Sequence, residues 1–124
     1  MSKPTVAVIG ASTNREKFGN KAVRAFLRQG CDVFPVHPTE STIEGLKVFR
    51  SVLDIPCSLD QVSLYVPPAV GLKVVDEIAE KGCKELWLNP GADSPELYEK
   101  ATALGLNPIV ACSIVGVGVN PHDL

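Results

Sequence analysis

The sequence has little that would support a metal site or covalent cross-links. Its 124 residues include only two histidines and four cysteines, and no two cysteines form a Cys-x-x-Cys pair. We therefore expect the thiols to be reduced and mostly buried, since neither a disulfide framework nor a zinc site is indicated. The cysteines are Cys31, Cys57, Cys83 and Cys112.

Long apolar runs are also missing. No stretch approaches the roughly 20 apolar residues that a membrane-spanning helix needs, and the first ten residues are too short and too polar for a signal peptide. We therefore expect a soluble, cytoplasmic protein that does not bind membranes. A chain of this length has room for one three-layer core, so residues 1–124 are expected to form a single domain.

A large charge of one sign is absent as well, because the net charge is −2. The charge is nevertheless uneven: residues 1–50 carry eight Lys or Arg against four acids, and residues 51–124 carry four against ten. Such a modest basic excess does not predict a nucleic-acid surface. It fits a small phosphorylated ligand bound near the amino-terminal third of the chain.

The sequence does contain a strand, a glycine turn and a helix at its start. Residues 6–9 are an apolar, β-branched run, followed by Gly10, a polar loop and a helical pattern over residues 21–29. Gly10 has no Cβ, so the backbone can turn sharply and approach a ligand closely. Backbone amides backed by a helix dipole favour an anion there. We expect Gly10→Val to abolish ligand binding and to leave the fold mostly intact.

The same pattern recurs along the chain. Helices predicted from periodicity end at Gly30, Gly82 and Gly105, each shortly before the next strand. The later elements are strands over residues 31–36, 62–66, 85–88 and 108–112, and helices over residues 69–81 and 94–104. This alternation predicts an α/β fold, a three-layer Rossmann-like domain with a five-stranded parallel sheet, and we expect the strand order 3-2-1-4-5.

Two details of this prediction concern burial and the middle of the chain. Residues 39–61 lack strong periodicity, with a short extended piece at 46–49 and a helical turn at 51–55, where a full crossover helix has been lost or shortened. The helix over residues 69–81 is expected to bury Val70, Val74, Val75 and Ile78.

Ligands of open parallel sheets bind beyond the carboxyl ends of the strands, at the switch point beside the first strand. Four predicted loops meet there, and Arg15 and Lys17 lie within reach of a phosphate. Ser12, Thr13 and Asn14 could alternatively cap the first helix, and we expect Lys21 and Arg24 to be solvated helix charges. The candidate ligand-binding residues are Gly10, Ala11, Ser12, Thr13, Asn14, Arg15, Lys17, Val36, His37, Pro38, Val66, Pro67, Pro68, Asn89, Pro90 and Gly91.

A dinucleotide such as NAD is disfavoured by the first loop. A Gly-x-Gly-x-x-Gly fingerprint that begins at Gly10 needs glycine where the chain has Ser12 and Arg15, and His37 stands where an acid would bind the ribose. The loop is instead rich in hydroxyls and amides. It suits a ligand with more negative charge than NAD.

Five segments in order carry a specific resemblance: GAS at 10–12, FPVHP at 34–38, SVLDIP at 51–56, VSLYVPP at 62–68 and ELWLNPG at 85–91. Over nearly the whole chain they resemble the small stand-alone CoA-binding proteins, single domains similar to the CoA-binding domain of succinyl-CoA synthetase α subunits. The resemblance implies coenzyme A as ligand, with phosphates on the first loop, adenine near residues 36–38, and the pantetheine arm passing residues 66–68 and 89–91. Thr39 departs from the lysine of many relatives, and in the last strand only Cys112 matches their Asp-Arg-Cys run.

No catalytic machinery is evident in the sequence. His37 lies between prolines without a carboxylate nearby to orient it, Cys112 is more typical of an apolar filler than a nucleophile, and Ser113 lacks a nucleophile elbow. We expect a CoA-binding or acyl-CoA-binding protein without catalytic or metal-ligating residues, with a protein partner or homo-oligomer possible. The alternatives are an NAD(P)-binding or acyl-CoA-handling enzyme subunit, and an interaction domain that has lost its ligand, which Thr39 favours.

Overall fold

The computed structural model describes residues 3–124. In chain order the elements are β1 (Thr5–Ile9), α1 (Phe18–Arg28), β2 (Asp32–Val36), β3 (Thr42–Ile43), β4 (Leu46–Lys47), a 3-10 turn (Val52–Asp54), β5 (Leu59–Leu64), α2 (Pro68–Lys81), β6 (Cys83–Leu88), α3 (Pro95–Ala103), β7 (Pro108–Val110), α4 (Ser113–Gly116) and a second 3-10 turn (Pro121–Asp123). The short extended piece and the helical turn predicted between the second and third main strands are both present.

The domain has three layers, because residues of each strand alternate between the two faces of the sheet and helices cover both faces. Val6 and Val8 of β1 belong to a buried cluster with residues of α1 and α4, among them Phe26 and Ile114. Ala7 and Ile9 belong to a second cluster with α2 and α3. The α/β class and the five-stranded parallel sheet flanked by helices are thereby confirmed.

The order of the five parallel strands is β2-β1-β5-β6-β7, which is Rossmann-like. The predicted order needs one correction: the third main strand, β5, pairs with β1, whereas the prediction placed it outside β2. The outer side of β2 is held by a single parallel bridge from Phe49 to Val36. Residues 39–58 contain a hairpin and a 3-10 turn but no crossover helix, so only this bridge occupies the position of the expected strand.

Helix α2 differs from its prediction in the side that it buries. Gly71, Val75 and Ile78 are buried, whereas Val70 is 43% exposed and Val74 is half-buried. The reason is the close packing of Gly71 on α3: a Cβ at Gly71 would lie 2.9 Å from Leu97 Cδ2. This contact turns the helix so that residue 70 faces away from the core.

The predicted ends of three helices are confirmed, and two other element boundaries shift by two or three residues. Gly30, Gly82 and Gly105 all have positive φ angles at helix ends, α1 begins three residues earlier than expected, and β7 ends at Val110. All four cysteines are free, but only Cys31 is buried and the other three are half-buried, so the expectation of mostly buried thiols is wrong. Burial raises the pKa of the Cys83 thiol to about 11.

Within residues 3–124 no His, Cys, Asp and Glu side chains cluster as a metal site would require, and no helix is long and apolar enough to span a membrane.

Candidate functional site

A cleft of about 580 Å³ opens beyond the carboxyl ends of β1, β2, β5 and β6. Its volume is within the range of small-molecule sites, and its place is where parallel sheets bind ligands. A second hollow of about 610 Å³ lies at the opposite ends of the strands, between Thr5, Cys57 and Lys84. The cleft is lined by Gly10, Ala11, Ser12, Lys17, Phe18, Gly19, His37, Pro38, Tyr65, Val66, Pro67, Pro90, Gly91 and Ala92.

Gly10 turns the chain out of β1 at the floor of the cleft. Its φ is +88°, and a Cβ there would lie 2.7 Å from the Tyr65 carbonyl oxygen and 2.8 Å from its carbonyl carbon. Residue 10 must therefore be glycine, because the backbone that follows β5 lies too close for a side chain. This geometry argues against the expectation that valine would leave the fold mostly intact.

The start of α1 approaches the same turn more closely still. A Cβ at Gly19 would lie 2.2 Å from the Gly10 carbonyl oxygen, so only glycine allows the helix to begin there. Phe18 and Gly19 are the first two residues of α1, where backbone amides lack an intrahelical acceptor and the helix dipole is positive. Neither residue was predicted as a ligand contact, although a glycine at a helix start after a first-strand turn is a known signal of close packing.

The first loop is held by its own side chains. Ser12 Oγ accepts a hydrogen bond from the Asn14 amide at 3.0 Å, and Asn14 Oδ1 accepts one from the Glu16 amide at 3.0 Å. The N-cap of α1 is Lys17, so these two side chains shape the loop and do not cap the helix. Ser12 reaches the cleft, whereas Thr13 and Asn14 are exposed outside its lining.

The cations near this loop have different positions. Lys17 lines the cleft. The Arg15 side chain is 65% exposed, does not line the cleft, and has its Nε 3.9 Å from Glu44 Oε2. Arg24 donates to Asn20 Oδ1 and to the Arg15 carbonyl, both at 2.7 Å. The prediction that Arg24 is a solvated helix charge is therefore wrong.

His37 and Pro38 form the wall after β2. His37 Nδ1 accepts hydrogen bonds from the amides of Thr39 at 3.1 Å and Glu40 at 3.0 Å. This pattern assigns the ring proton to Nε2 and fixes the ring against its own loop. Val36, by contrast, is buried in the core and does not reach the cleft.

Asn89 follows β6 but faces inward. Its side chain is fully buried, and its Nδ2 donates to Ser63 Oγ and to the Leu64 carbonyl, both at 3.0 Å. Its Oδ1 accepts from the Ser113 amide at 2.8 Å. Because these bonds join β5, β6 and α4, the structure gives Asn89 a structural position and does not bring it to the cleft.

Tyr65 lines the cleft, and its hydroxyl belongs to the hydrogen-bond network that includes Asn89. Its hydroxyl is 2.9 Å from Ser113 Oγ, which is 2.6 Å from Ser63 Oγ. Burial raises the pKa of Tyr65 to about 12, which is consistent with a neutral hydroxyl inside this hydrogen-bonded chain. The sequence offered no signal for Tyr65 beyond its place at a strand end.

Most of the candidate residues meet at one place. The cleft includes Gly10, Ala11, Ser12, Lys17, His37, Pro38, Val66, Pro67, Pro90 and Gly91. Outside its lining lie Thr13, Asn14, Arg15, Val36, Pro68 and Asn89. Residues that the sequence did not single out and that the structure adds are Phe18, Gly19, Tyr65 and Ala92.

Comparisons with known proteins agree with this architecture. A family described as CoA binding domain matches residues 4–117. A conserved hypothetical protein from Pyrococcus furiosus is 36% identical with a TM-score of 0.81, over 93% of this chain and 99% of that one. A hypothetical protein from Pyrococcus horikoshii is 32% identical with a TM-score of 0.83, over 95% of this chain and 80% of that one.

A curated relative is much longer than this chain. The alpha subunit of ADP-forming acetate–CoA ligase II from Pyrococcus furiosus is 35% identical in an alignment that covers 94% of this chain and 28% of that protein. The chain therefore spans less than a third of the length of this relative. The similarity concerns one domain of it.

Proposed function

Because the chain belongs to the CoA-binding domain family, we propose that it binds coenzyme A or an acyl-CoA in the cleft beyond β1, β2, β5 and β6. The observation that carries the proposal is the meeting of Gly10 and Gly19, which places the first turn of α1 directly on the loop after β1. Such an arrangement suits phosphate groups, since backbone amides and the positive end of a helix dipole meet there. Lys17 adds a full positive charge to the same side of the cleft.

The part of the cleft that follows β5 and β6 suits the pantetheine arm. Val66, Pro67, Pro90 and Ala92 line it, and proline contributes no backbone N–H. A largely apolar wall with few donors favours an extended, uncharged chain over a second charged group. We assign the adenine to the third wall, beside His37 and Pro38.

A binding role without chemistry is supported by how the polar groups of the cleft are used. His37 Nδ1 is occupied by two backbone amides, and the hydroxyl of Tyr65 is hydrogen-bonded to Ser113, a buried residue outside the cleft lining. Because its lone pair is engaged by these amides, His37 Nδ1 is not free to accept a proton from a ligand as a general base. We therefore propose a module that holds or senses the coenzyme.

A partner and a location are further parts of the proposal. The ligase subunit to which the chain is similar is more than three times as long, so a protein partner or a second copy of this chain would supply any further surface that a reaction needs. We propose that the protein works in the cytoplasm, where this coenzyme would reach it.

A ligand panel tests the proposal. Coenzyme A and acetyl-CoA are expected to raise the melting temperature by several degrees at about 100-fold excess over the dissociation constant, because a ligand that binds only the native state stabilises it. NAD is expected to give no comparable shift, since Ser12 and Arg15 replace two fingerprint glycines. NADP and ATP complete the panel in a fluorescence melting assay. An equal or larger shift with NAD would contradict the proposal.

Lys17→Ala tests the phosphate side of the cleft. We expect it to weaken coenzyme A by on the order of 1–2 kcal/mol, the value of one charge-assisted contact. Arg15→Ala is expected to cost less because Arg15 lies outside the cleft. Calorimetric titration of both variants with coenzyme A and with dephospho-CoA measures the loss of affinity. A larger loss for coenzyme A than for dephospho-CoA would assign the contact to the 3′-phosphate. Lys73→Ala, an exposed lysine on α2, is the control, and an equal loss there would show that only net charge matters.

A further inference from the structure

The β3–β4 hairpin has an unusual residue at its turn. Ile43 pairs with Leu46, so Glu44 and Gly45 form a two-residue turn, with φ angles of 49° and 77°. Both central positions of such a turn favour Gly, Asn or Asp. Among residues 3–124, Glu44 is the only non-glycine residue with a positive φ. The turn itself therefore does not explain why glutamate occupies this position.

The side chain of Glu44 reaches across to α1. Its Oε2 accepts a hydrogen bond from Asn20 Nδ2 at 3.1 Å, and the side chain is only 22% exposed. The same Nδ2 donates to the Ser12 carbonyl at 2.8 Å. One amide group thus joins the hairpin turn to the loop after β1, which lines the cleft.

Asn20 is fully buried and uses both ends of its amide. Its Oδ1 accepts from Arg24 Nε, and Arg24 also donates to the Arg15 carbonyl. Side chains of α1 therefore hold two carbonyls of the first loop, those of Ser12 and Arg15. Without Glu44 one N–H of this buried amide would lose its acceptor, and a buried donor without a partner favours rearrangement.

We propose that Glu44 is a positioning residue for the first loop, acting through Asn20, and that the β3–β4 hairpin thereby sets the affinity of the cleft for its anionic ligand. The hairpin is not part of the cleft lining. Its effect is pre-organisation: a loop already held in its binding conformation loses less entropy when a ligand binds. For coenzyme A as that ligand, the inference rests on the function proposed above.

Two variants of Glu44 separate positioning from folding. Glu44→Gly removes the side chain but suits the positive φ, so the melting temperature should stay close to that of the wild type. We expect coenzyme A affinity to fall about tenfold and the amides of residues 12–17 to exchange hydrogen faster. Glu44→Gln keeps an acceptor oxygen at the same reach and should bind within about twofold of the wild type. Glu80→Gln, an exposed carboxylate on α2, controls for the loss of one charge.

Calorimetry, thermal melting and hydrogen exchange together decide the result. Wild-type affinity and unchanged exchange at residues 12–17 in Glu44→Gly would overturn the inference. A Glu44→Gln variant as weak as Glu44→Gly would also overturn it, because charge and not the bond to Asn20 would then matter. If coenzyme A fails to bind the wild type, the proposed function fails, while the exchange of the first loop in Glu44→Gly still decides whether Glu44 positions it.

Discussion

Gly10→Val is expected to destabilise the native state by more than about 3 kcal/mol. Two costs combine at this position. The φ of +88° lies in the left-handed region that L-residues avoid, and the new Cβ would lie 2.7 Å from the Tyr65 carbonyl oxygen. Because that oxygen belongs to backbone, it cannot move aside as a flexible side chain could, and the β1 turn must distort.

Gly30→Val is the matched control for this prediction. Gly30 has a similar φ of +79°, but a Cβ there meets nothing within 4 Å. The control should therefore show only the conformational cost, about 1–2 kcal/mol. Urea unfolding of both variants measures the difference. Equal losses of stability at the two positions would show that the close approach to Tyr65 does not matter, and a stable Gly10→Val would restore the view that this glycine serves only the ligand.

Asn89→Ala is expected to cost about 3–5 kcal/mol, since it removes the partner of several buried groups at once. The Ser113 amide loses its acceptor, and the Leu64 carbonyl and Ser63 hydroxyl lose a donor. The attachment of α4 to the sheet should weaken with them. We expect an early loss of protection at residues 113–116 in hydrogen exchange, together with a lower midpoint of urea unfolding.

Asn107→Ala provides the comparison, because Asn107 is an exposed asparagine in the α3–β7 connection. It should change stability by no more than about 0.5 kcal/mol. If Asn89 were a ligand contact, Asn89→Ala would instead fold with normal stability and lose affinity for coenzyme A. That result would contradict the structural position described above.

Local patterns in the sequence predicted the elements well because their causes are local. Gly30, Gly82 and Gly105 lie at or just after the ends of helices and have positive φ, a conformation that few other residues adopt. Since parallel strands point the same way, their following loops had to meet at one end of the sheet.

The predictions that needed correction concern contacts between distant residues. Strand order depended on the middle segment, where Phe49 keeps a single bridge to Val36 and no periodicity marks which side of β1 the next strand takes. Asn89 is a polar residue in a predicted loop and Arg24 is a charged residue within a predicted helix, and both residue types are mostly exposed in proteins. In the structure their side chains instead bind carbonyls and hydroxyls of other segments.

The sequence by itself determined the α/β class, the family resemblance and the end of the sheet at which the cleft opens, because these follow from local conformational preference and from residue order. Only the tertiary structure decided which side of β1 received β5, why Gly10 and Gly19 must be glycine, and that Glu44 contacts Asn20. These features depend on atoms brought together from distant parts of the chain: the Tyr65 backbone against Gly10, and the hairpin turn against α1. Such contacts are fixed by packing of the whole domain and leave no periodic signal in the sequence around either partner.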